Sequence, residues 1–115
     1  MRYLFVLNDP PYGTERSYSG LRLAATLLKS EDSEVDVFLM ADAVFCAKAG
    51  QKTPDGYYNL GRMLKPIVRK GHVLLCGTCM DARGLEASEL MEGTARSSLA
   101  ELTERTIAAD KVLVF

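Results

Sequence analysis

The sequence has no tryptophan and one histidine among its 115 residues, and its net charge is −1. With one histidine, a protease-like pairing of cysteine with histidine has little support. A balanced charge gives no electrostatic sign of nucleic-acid binding. No apolar run approaches the ~20 residues that cross a bilayer, and the N-terminal run at 3–7 is too short for a signal peptide. We therefore expect a cytoplasmic protein that contacts neither nucleic acid nor membrane.

The composition is that of an ordinary globular domain. Hydrophobic residues make up 48% of the chain and charged residues 25%, as in soluble proteins generally. A chain of this length forms one domain, here 1–115, and can bury a core without disulfides or metal. The three cysteines are therefore expected to be reduced, and to be either functional or simply buried.

Apolar runs alternate with amphipathic segments along the chain, which favours an α/β fold. Such a fold has three layers, with helices on both faces of a mainly parallel sheet, here of about five strands. The predicted strands are Tyr3 to Leu7, Val35 to Met40, a run beginning at His72, Gly93 to Arg96, and Val112 to Phe115.

Helical periodicity fills the segments between these strands. Thr14 is expected to cap the first helix, and Ser98 with Glu101 has capping-box spacing for the last one. A long helix at 57–70 contains Pro66, which predicts a kink or a division into two short helices. Shorter helices are expected at 41–49 and 85–90. The apolar residues that we expect to face the core are Leu21, Ala24, Ala25 and Leu28 in the first long helix, Leu60, Leu64, Ile67 and Val68 in the second, and Leu99, Leu102 and Ile107 in the last.

A cysteine-containing segment follows the apolar strand at 72–75. It reads Cys76-Gly77-Thr78-Cys79-Met80-Asp81-Ala82-Arg83-Gly84. In an open α/β sheet, a loop at the carboxyl end of a strand is the usual place for a ligand or reactive group. The reactive form of cysteine is the thiolate, which a helix N-terminus or a nearby cation stabilises. Arg83 is the candidate cation, Asp81 is expected to cap the following helix or pair with Arg83, and both glycines permit close backbone approach.

The spacing Cys-x-x-Cys leaves several chemistries open. A thioredoxin-like redox pair normally lies in a different sequence context. A zinc site would need His72, Cys46 and the two spaced cysteines, but His72 and Cys76 stand at opposite ends of one strand, ~13 Å apart at ~3.3 Å per residue. Buried, unreactive thiols are the remaining alternative. Cys46 is expected in the core, and His72 on the surface.

The loop after the first strand carries Asn8, Asp9, Tyr12 and Gly13. In a flavodoxin-like strand order, strands one and three are neighbours at the switch point. Tyr12 and Asn8 are then expected to line a cleft that faces the cysteines, with an ordinary Pro-Gly turn as the alternative. The loop has neither the glycine fingerprint of dinucleotide sites nor the P-loop pattern, so nucleotide binding there has little support.

Five segments carry a resemblance to a known family. They are DPPYGTE at 9–15, FLMADAV at 38–44, GQK at 50–52, LCGTCMDARG at 75–84 and ADKVLVF at 109–115. Together they resemble the DsrE/DsrF-like family, and within it the YchN-like branch, over essentially the whole chain. The resemblance implies a flavodoxin-like α/β fold. It also implies a homo-oligomer, commonly a hexamer, with the cysteine in a cleft near subunit contacts.

The same resemblance suggests a chemistry. The TusD-like and DsrE-like branches carry sulfur as a cysteine persulfide, in tRNA thiolation or in sulfur oxidation. Counting back from Arg83 and Gly84, their sulfur-carrying cysteine falls on Cys76. Cys79 has no counterpart in those branches but fits the YchN-like motif, so the resemblance leaves open which thiol acts.

These observations favour a small sulfur-handling protein in which Cys76 accepts a sulfane sulfur and Cys79 is the second thiol. A non-catalytic oligomeric binding or scaffold protein with a cysteine-lined cleft is the alternative, and a dithiol–disulfide oxidoreductase is a third hypothesis. No cofactor or metal is expected, and the expected partners are a sulfur donor, a sulfur acceptor and further copies of the chain. The candidate binding residues are Tyr12, Gly13, Gly77, Thr78, Asp81 and Arg83.

Overall fold

A five-stranded sheet forms the central layer, and every pair of neighbouring strands is parallel. The computed structural model describes residues 1–115. The strands are β1 (Arg2–Leu7), β2 (Glu34–Leu39), β3 (His72–Cys76), β4 (Thr94–Ser97) and β5 (Lys111–Val114). Their order across the sheet is β4-β3-β2-β1-β5. The predicted α/β class with a parallel sheet is confirmed.

The central strands bury side chains on both faces of the sheet. In β1, Phe5 and Leu7 belong to a cluster of 19 buried residues, whereas Leu4 and Val6 belong to a second cluster of five. The two sets lie on opposite faces because successive side chains of a strand alternate. A strand covered on both sides reads as a continuous apolar run, which is why the sequence marks this one clearly.

The strand order contradicts one prediction that concerns the site. β1 pairs with β2 and β5, and β3 pairs with β2 and β4. The expectation that strands one and three are neighbours is therefore wrong, because β2 lies between them. A buried strand shows the same apolar pattern whichever strand it pairs with, so the sequence pattern does not encode that choice.

Helices cover the two faces unequally. α1 and α2 pack against each other over the larger cluster, whereas α4 contributes Leu102 to the smaller one. No helix combines the length and the apolar character needed to cross a membrane. The helices are α1 (Arg16–Leu27), a 3₁₀ helix at Ala41–Ala47, α2 (Leu60–Lys70), α3 (Gly77–Ala82), a 3₁₀ turn at Ala87–Glu89 and α4 (Leu99–Ala108).

The first helix does not begin as predicted. Thr14 does not cap α1, because its hydroxyl donates to the Asp9 carboxylate at 2.8 Å. Glu15 occupies the N-cap position and makes no side-chain capping bond. The predicted inner face is confirmed for Leu21, Ala24 and Leu28, which are buried, while Ala25 is half-buried.

The second long helix is shorter than predicted and is not divided. It begins at Leu60 because the side chain of Asn59 accepts the Arg62 backbone N–H at 3.1 Å. Pro66 lies inside α2 without splitting it. Leu64 and Ile67 flank the proline and are fully buried, and such burial holds a helix together across a missing hydrogen bond.

The cysteine segment is largely helical. α3 starts directly after β3 with Cys76 at its N-cap, so Cys79 lies within the helix and not in a loop. The helix expected at 85–90 is reduced to the 3₁₀ turn at Ala87–Glu89. A helix of six residues is too short to show the apolar periodicity from which longer helices are predicted.

The last helix lies with its apolar residues outward. Ser98 does cap α4, accepting the Glu101 backbone N–H at 3.2 Å, as predicted. However, Leu99 is 72% exposed and Ile107 is 80% exposed, so the predicted inner face is wrong for both. Arg105 of α4 forms an ion pair with Asp36 of β2, donating to its carboxylate at 2.7 Å, and so links the helix to the sheet.

Candidate functional site

Cys76 lies where β3 becomes α3, and this junction is the candidate site. It is the last residue of β3 and the N-cap of α3, and 8% of it is exposed. Its Sγ accepts the backbone N–H of Cys79 at 3.3 Å and lies 3.3 Å from Oγ1 of Thr78. A sulfur surrounded by donors in this way favours the negatively charged form.

The two thiols of the junction have opposite pKa shifts. Burial raises the pKa of Cys76, but hydrogen bonds from the side chains and backbone of Cys79 and Thr78 outweigh it, so this pKa lies below its usual value. Burial raises the pKa of Cys79, and its hydrogen bond with Cys76 and the charge of Cys76 raise it further, while the Ala41 backbone and Arg83 lower it by less. Cys76 is therefore the thiol that ionises first.

Arg96 lies beside this junction, although nothing in the sequence pattern marked it. In the register of β3 and β4, Ser97 is opposite Cys76 and Arg96 is opposite Leu75. A Cβ atom on Gly77 would lie 2.9 Å from Cζ and Nε of Arg96, so the glycine allows the guanidinium to lie against the turn. The pairing of β4 with β3 is the signal that would have revealed this arginine.

Asp81 pairs with Arg96 and not with Arg83. Its carboxylate accepts two hydrogen bonds from Arg96, at 2.7 and 2.9 Å, and these bonds hold its pKa below the usual value. The expectation that Asp81 caps the helix or pairs with Arg83 is wrong, because residues two apart on a helix do not face each other. Arg83 donates instead to Asp42 at 2.8 Å and to the carbonyl oxygen of Cys79 at 3.1 Å.

The loop after β1 makes its contacts elsewhere. Tyr12 donates to Oε1 of Gln51 at 2.5 Å and accepts the backbone N–H of Leu60 at 3.2 Å, which places it at the start of α2. Gly13 forms an open turn with φ of +98°. Because β2 separates β1 from β3, the segment that approaches Cys79 is the one after β2, through the backbone of Ala41.

Cys46 and His72 lie where the sequence predicted them, in the core and on the surface respectively. Cys46 is fully buried in the larger cluster, and burial raises its pKa to about 12. His72 is exposed, with Nδ1 2.8 Å from the Asp36 carboxylate. No group of three or more His, Cys, Asp or Glu side chains is arranged to hold a metal ion.

The comparison with known proteins agrees with this architecture. A family model described as the DsrE/DsrF-like family matches residues 1–115. The chain belongs to that family. Among DsrE/DsrF-like relatives, the protein YchN of Escherichia coli strain K12 is 40% identical over 116 residues, covering 99% of this chain and 98% of YchN. A crystal structure of the ychN protein from E. coli matches with a TM-score of 0.93 over 99% of this chain and 98% of that chain.

A more distant relative has a named activity. The sulfurtransferase TusD of Salmonella arizonae is 25% identical over 130 residues, covering 100% of both chains. The resemblance to the DsrE/DsrF-like family, to YchN and to TusD is thus confirmed along the full length of the chain.

Proposed function

We propose that this protein carries sulfane sulfur as a persulfide on Cys76, within a sulfur relay. The observation that carries the proposal is the hydrogen bonding of Cys76 Sγ by the Cys79 N–H and the Thr78 hydroxyl. Together with a lowered pKa, it supplies the thiolate that sulfur transfer requires. The full-length similarity to a sulfurtransferase, TusD, supports the same class of reaction.

Loading begins when the Cys76 thiolate attacks the terminal sulfur of a donor persulfide. A bond forms between Cys76 Sγ and that sulfur, the S–S bond of the donor breaks, and the donor leaves as a thiolate. No oxidant is needed, because the transferred sulfur is already at the sulfane level. The proton of the transferred sulfur passes to the donor thiolate, since a persulfide is the stronger acid. Arg96, which lies against Gly77 and is paired with Asp81, supplies positive charge beside the resulting persulfide anion.

Two routes release the sulfur. An acceptor thiolate can attack the terminal sulfur, which takes it away and restores the Cys76 thiolate. Alternatively, the Cys79 thiolate attacks Cys76 Sγ, which forms a Cys76–Cys79 disulfide and expels hydrosulfide, and an external dithiol must then reduce the disulfide. Burial is the largest cause of the raised pKa of Cys79, and it disfavours the Cys79 thiolate, which favours the first route.

The test is loading by a low-molecular-weight persulfide such as cysteine persulfide, followed by intact mass spectrometry and peptide mapping. The parent protein and Cys79→Ser are expected to gain one sulfur atom on Cys76, and Cys76→Ser to gain none. Cys46→Ala is the matched control, since its thiol is buried, and it should load like the parent. If Cys76→Ser loads as well as the parent, the assignment is wrong.

Dithiol–disulfide exchange is a second candidate, favoured by the closeness of the two cysteines, since the backbone N–H of Cys79 donates to Cys76 Sγ at 3.3 Å. In that case the reduced pair reduces a disulfide substrate and becomes a Cys76–Cys79 disulfide. Both cysteines would then be required for turnover, whereas sulfur loading requires Cys76 alone. The Cys79→Ser variant therefore separates the two functions.

We also propose that the protein works in the cytoplasm as a homo-oligomer. A function that depends on free thiols suits a reducing compartment. Four of the seven large apolar side chains that are exposed lie in the α4–β5 segment, and β5 is an edge strand. An apolar edge left open in this way is a common site of subunit contact.

A further inference from the structure

A groove of about 730 Å³ runs along α2. One wall is α2 itself, and the other consists of the segments 48–51 and 91–93. None of its lining residues belongs to the Cys76–Arg83 segment or to β4. The groove, called here the α2 groove, is therefore separate from the candidate site for sulfur.

The α2 groove is strongly basic in a chain whose net charge is −1. It is lined by Lys48, Arg62, Lys65 and Arg69, against the single carboxylate of Glu92. Lys48 has a partner, since its Nζ is 3.9 Å from Glu89. The three lining cations on α2, Arg62, Lys65 and Arg69, form no ion pair, although most other arginines of the chain do. Three positive charges in a groove lack an anionic partner within the protein.

The three unpaired cations lie on the same face of α2. Positions 62, 65 and 69 are spaced i, i+3 and i+7, which places them on one helix face. At ~1.5 Å per residue they span ~10 Å, which is longer than one phosphate group. A ligand with a chain of anionic groups fits this row better than a single small anion does.

The polar side chains at the floor of the groove already have hydrogen-bond partners within the chain. Nε2 of Gln51 donates to the carbonyl oxygens of Cys46 and Lys48 at 2.8 and 3.0 Å. Nδ2 of Asn59 donates to the carbonyl oxygen of Gln51 at 3.1 Å. The opposite wall is fixed by backbone bonds from Ala49 N to Glu89 O and from Met91 N to Ala47 O, each 2.8 Å. A ligand therefore meets a preformed surface, which reduces the ordering cost of binding.

Two of the backbone N–H groups at the start of α2 are already used within the chain. The backbone N–H of Leu60 donates to Tyr12, and that of Arg62 donates to Asn59. The side chains of Arg62, Lys65 and Arg69 remain the available donors, and guanidinium groups hold phosphate oxygens through two hydrogen bonds at once.

We infer that the α2 groove binds a small ligand that carries two or more phosphate groups. Its volume lies in the range of small-molecule sites, roughly 300–1,000 Å³. Val68 and Met91 give the lining an apolar part that can hold the organic portion of a phosphate ester. Nucleoside di- and triphosphates and inorganic polyphosphate share the phosphate chemistry.

Isothermal titration calorimetry at low salt, with ATP, inorganic tripolyphosphate and adenosine as probes, tests the inference. We expect ATP, tripolyphosphate or both to bind, with affinity that falls as salt is added, and adenosine not to bind. Tighter binding of ATP would identify a phosphate ester as the ligand class, and tighter binding of tripolyphosphate would identify an inorganic polyphosphate. If neither binds at millimolar concentration, the inference is overturned.

Paired variants test the location. Arg62→Gln with Arg69→Gln should weaken binding at least about tenfold, because each guanidinium would supply charge-assisted hydrogen bonds to phosphate oxygens. Lys29→Gln with Lys111→Gln removes the same charge from exposed, unpaired positions outside α2 and outside the groove. Measured at 0.15 M salt, where exposed charges act over only ~8 Å, this pair should leave the affinity within about twofold. Equal weakening by both pairs would show nonspecific attraction and contradict the inference.

An NMR titration of the parent protein needs no variant. Amide shifts caused by the phosphate probe should concentrate at 48–51, 59–69 and 91–93. Shifts that concentrate instead at 76–83 and 94–97 would place the anion at the cysteine junction and overturn the assignment to the α2 groove.

Discussion

The acidity of Cys76 depends on an exposed neighbour that can be changed without disturbing the core. Thr78→Val keeps the shape of the side chain and removes the hydroxyl that lies 3.3 Å from Sγ. Because that hydroxyl stabilises the thiolate, its loss should raise the pKa of Cys76 by about one to two units, given ~1.5–3 kcal/mol for a hydrogen bond to a charge. The measurement is the pH dependence of alkylation at Cys76, resolved by peptide mass spectrometry.

Thr103→Val is the matched control for this experiment. Thr103 is also exposed, and its hydroxyl donates to the carbonyl oxygen of Leu99 within α4 at 2.8 Å. It should leave the alkylation midpoint of Cys76 unchanged. An unchanged midpoint in Thr78→Val as well would mean that the hydroxyl does not stabilise the thiolate.

The three cysteines should differ in reactivity as pH rises. A lowered pKa makes Cys76 the first to be alkylated, and a raised pKa delays Cys79. Cys46, with a pKa of about 12 and no exposed surface, should not react below pH 9 in the folded protein. A thiol titration should therefore count two reactive groups in the native state and a third only in denaturant. Labelling of Cys46 in the native state would contradict this order.

At the level of single residues, the sequence predicted that Cys76 lies at the end of a strand but did not predict the ion pairs around it. Cys76 was predictable because an apolar run ends at it and a glycine follows. Arg96 was not, because it is 20 positions away in the chain and reaches the turn only through the pairing of β4 with β3. The roles of Tyr12 and Gly13 in binding stay predictions, to be tested by persulfide loading of Tyr12→Phe.

Among the secondary-structure elements, the junction of α2 with β3 tolerates the least change. A Cβ atom on Gly71 would lie 2.0 Å from the carbonyl oxygen of Val35 in β2. Backbone cannot move aside as a flexible side chain can, so Gly71→Ala should lower the free energy of unfolding by about 3 kcal/mol or more. Urea denaturation measures the loss.

Gly56→Ala provides the comparison. No atom lies within 4 Å of a Cβ at Gly56, but its φ is +85°, so this change carries only the backbone strain of about 1–2 kcal/mol. A loss at Gly71 no larger than that at Gly56 would show that the junction adjusts to the added methyl group.

The secondary-structure elements differ in how well the sequence predicts their placement, because they differ in how completely they are buried. β1 and β3 are covered on both faces, so their apolar runs are unambiguous. α4 has an apolar pattern too, but no residue of it is buried. A periodic pattern shows that a face is apolar and does not show whether the same chain or another covers it.

At the scale of the whole molecule, the open apolar segment predicts self-association. Ile107→Glu combined with Val114→Lys places charges on two side chains that are 80% and 67% exposed. Burying a charge at a subunit contact is costly, so this variant should have a lower molar mass than the parent in sedimentation equilibrium. Leu23→Glu, at a third exposed apolar residue on α1, should keep the parent mass. A parent protein that is monomeric at tens of micromolar would rule the oligomer out.

The class of fold was predictable from alternating strands and helices, whereas the order of the strands was not. The strand order decides which segment lies beside the candidate site: it is the segment after β2, and not the loop after β1, that adjoins Cys79. Long-range pairing depends on how helices pack over the sheet, and a local pattern holds little of that information.

The thiols of Cys46 and Cys76 lie on opposite faces of the sheet. Cys76 packs in the smaller cluster and Cys46 in the larger one, on opposite sides of the strands. If Cys76 carries sulfur as proposed, the sheet separates that sulfur from the Cys46 thiol, so direct transfer between these two cysteines is blocked in the folded protein. On the same proposal, Cys79 is the only other thiol within reach of Cys76, so side reactions within the chain are limited to one disulfide.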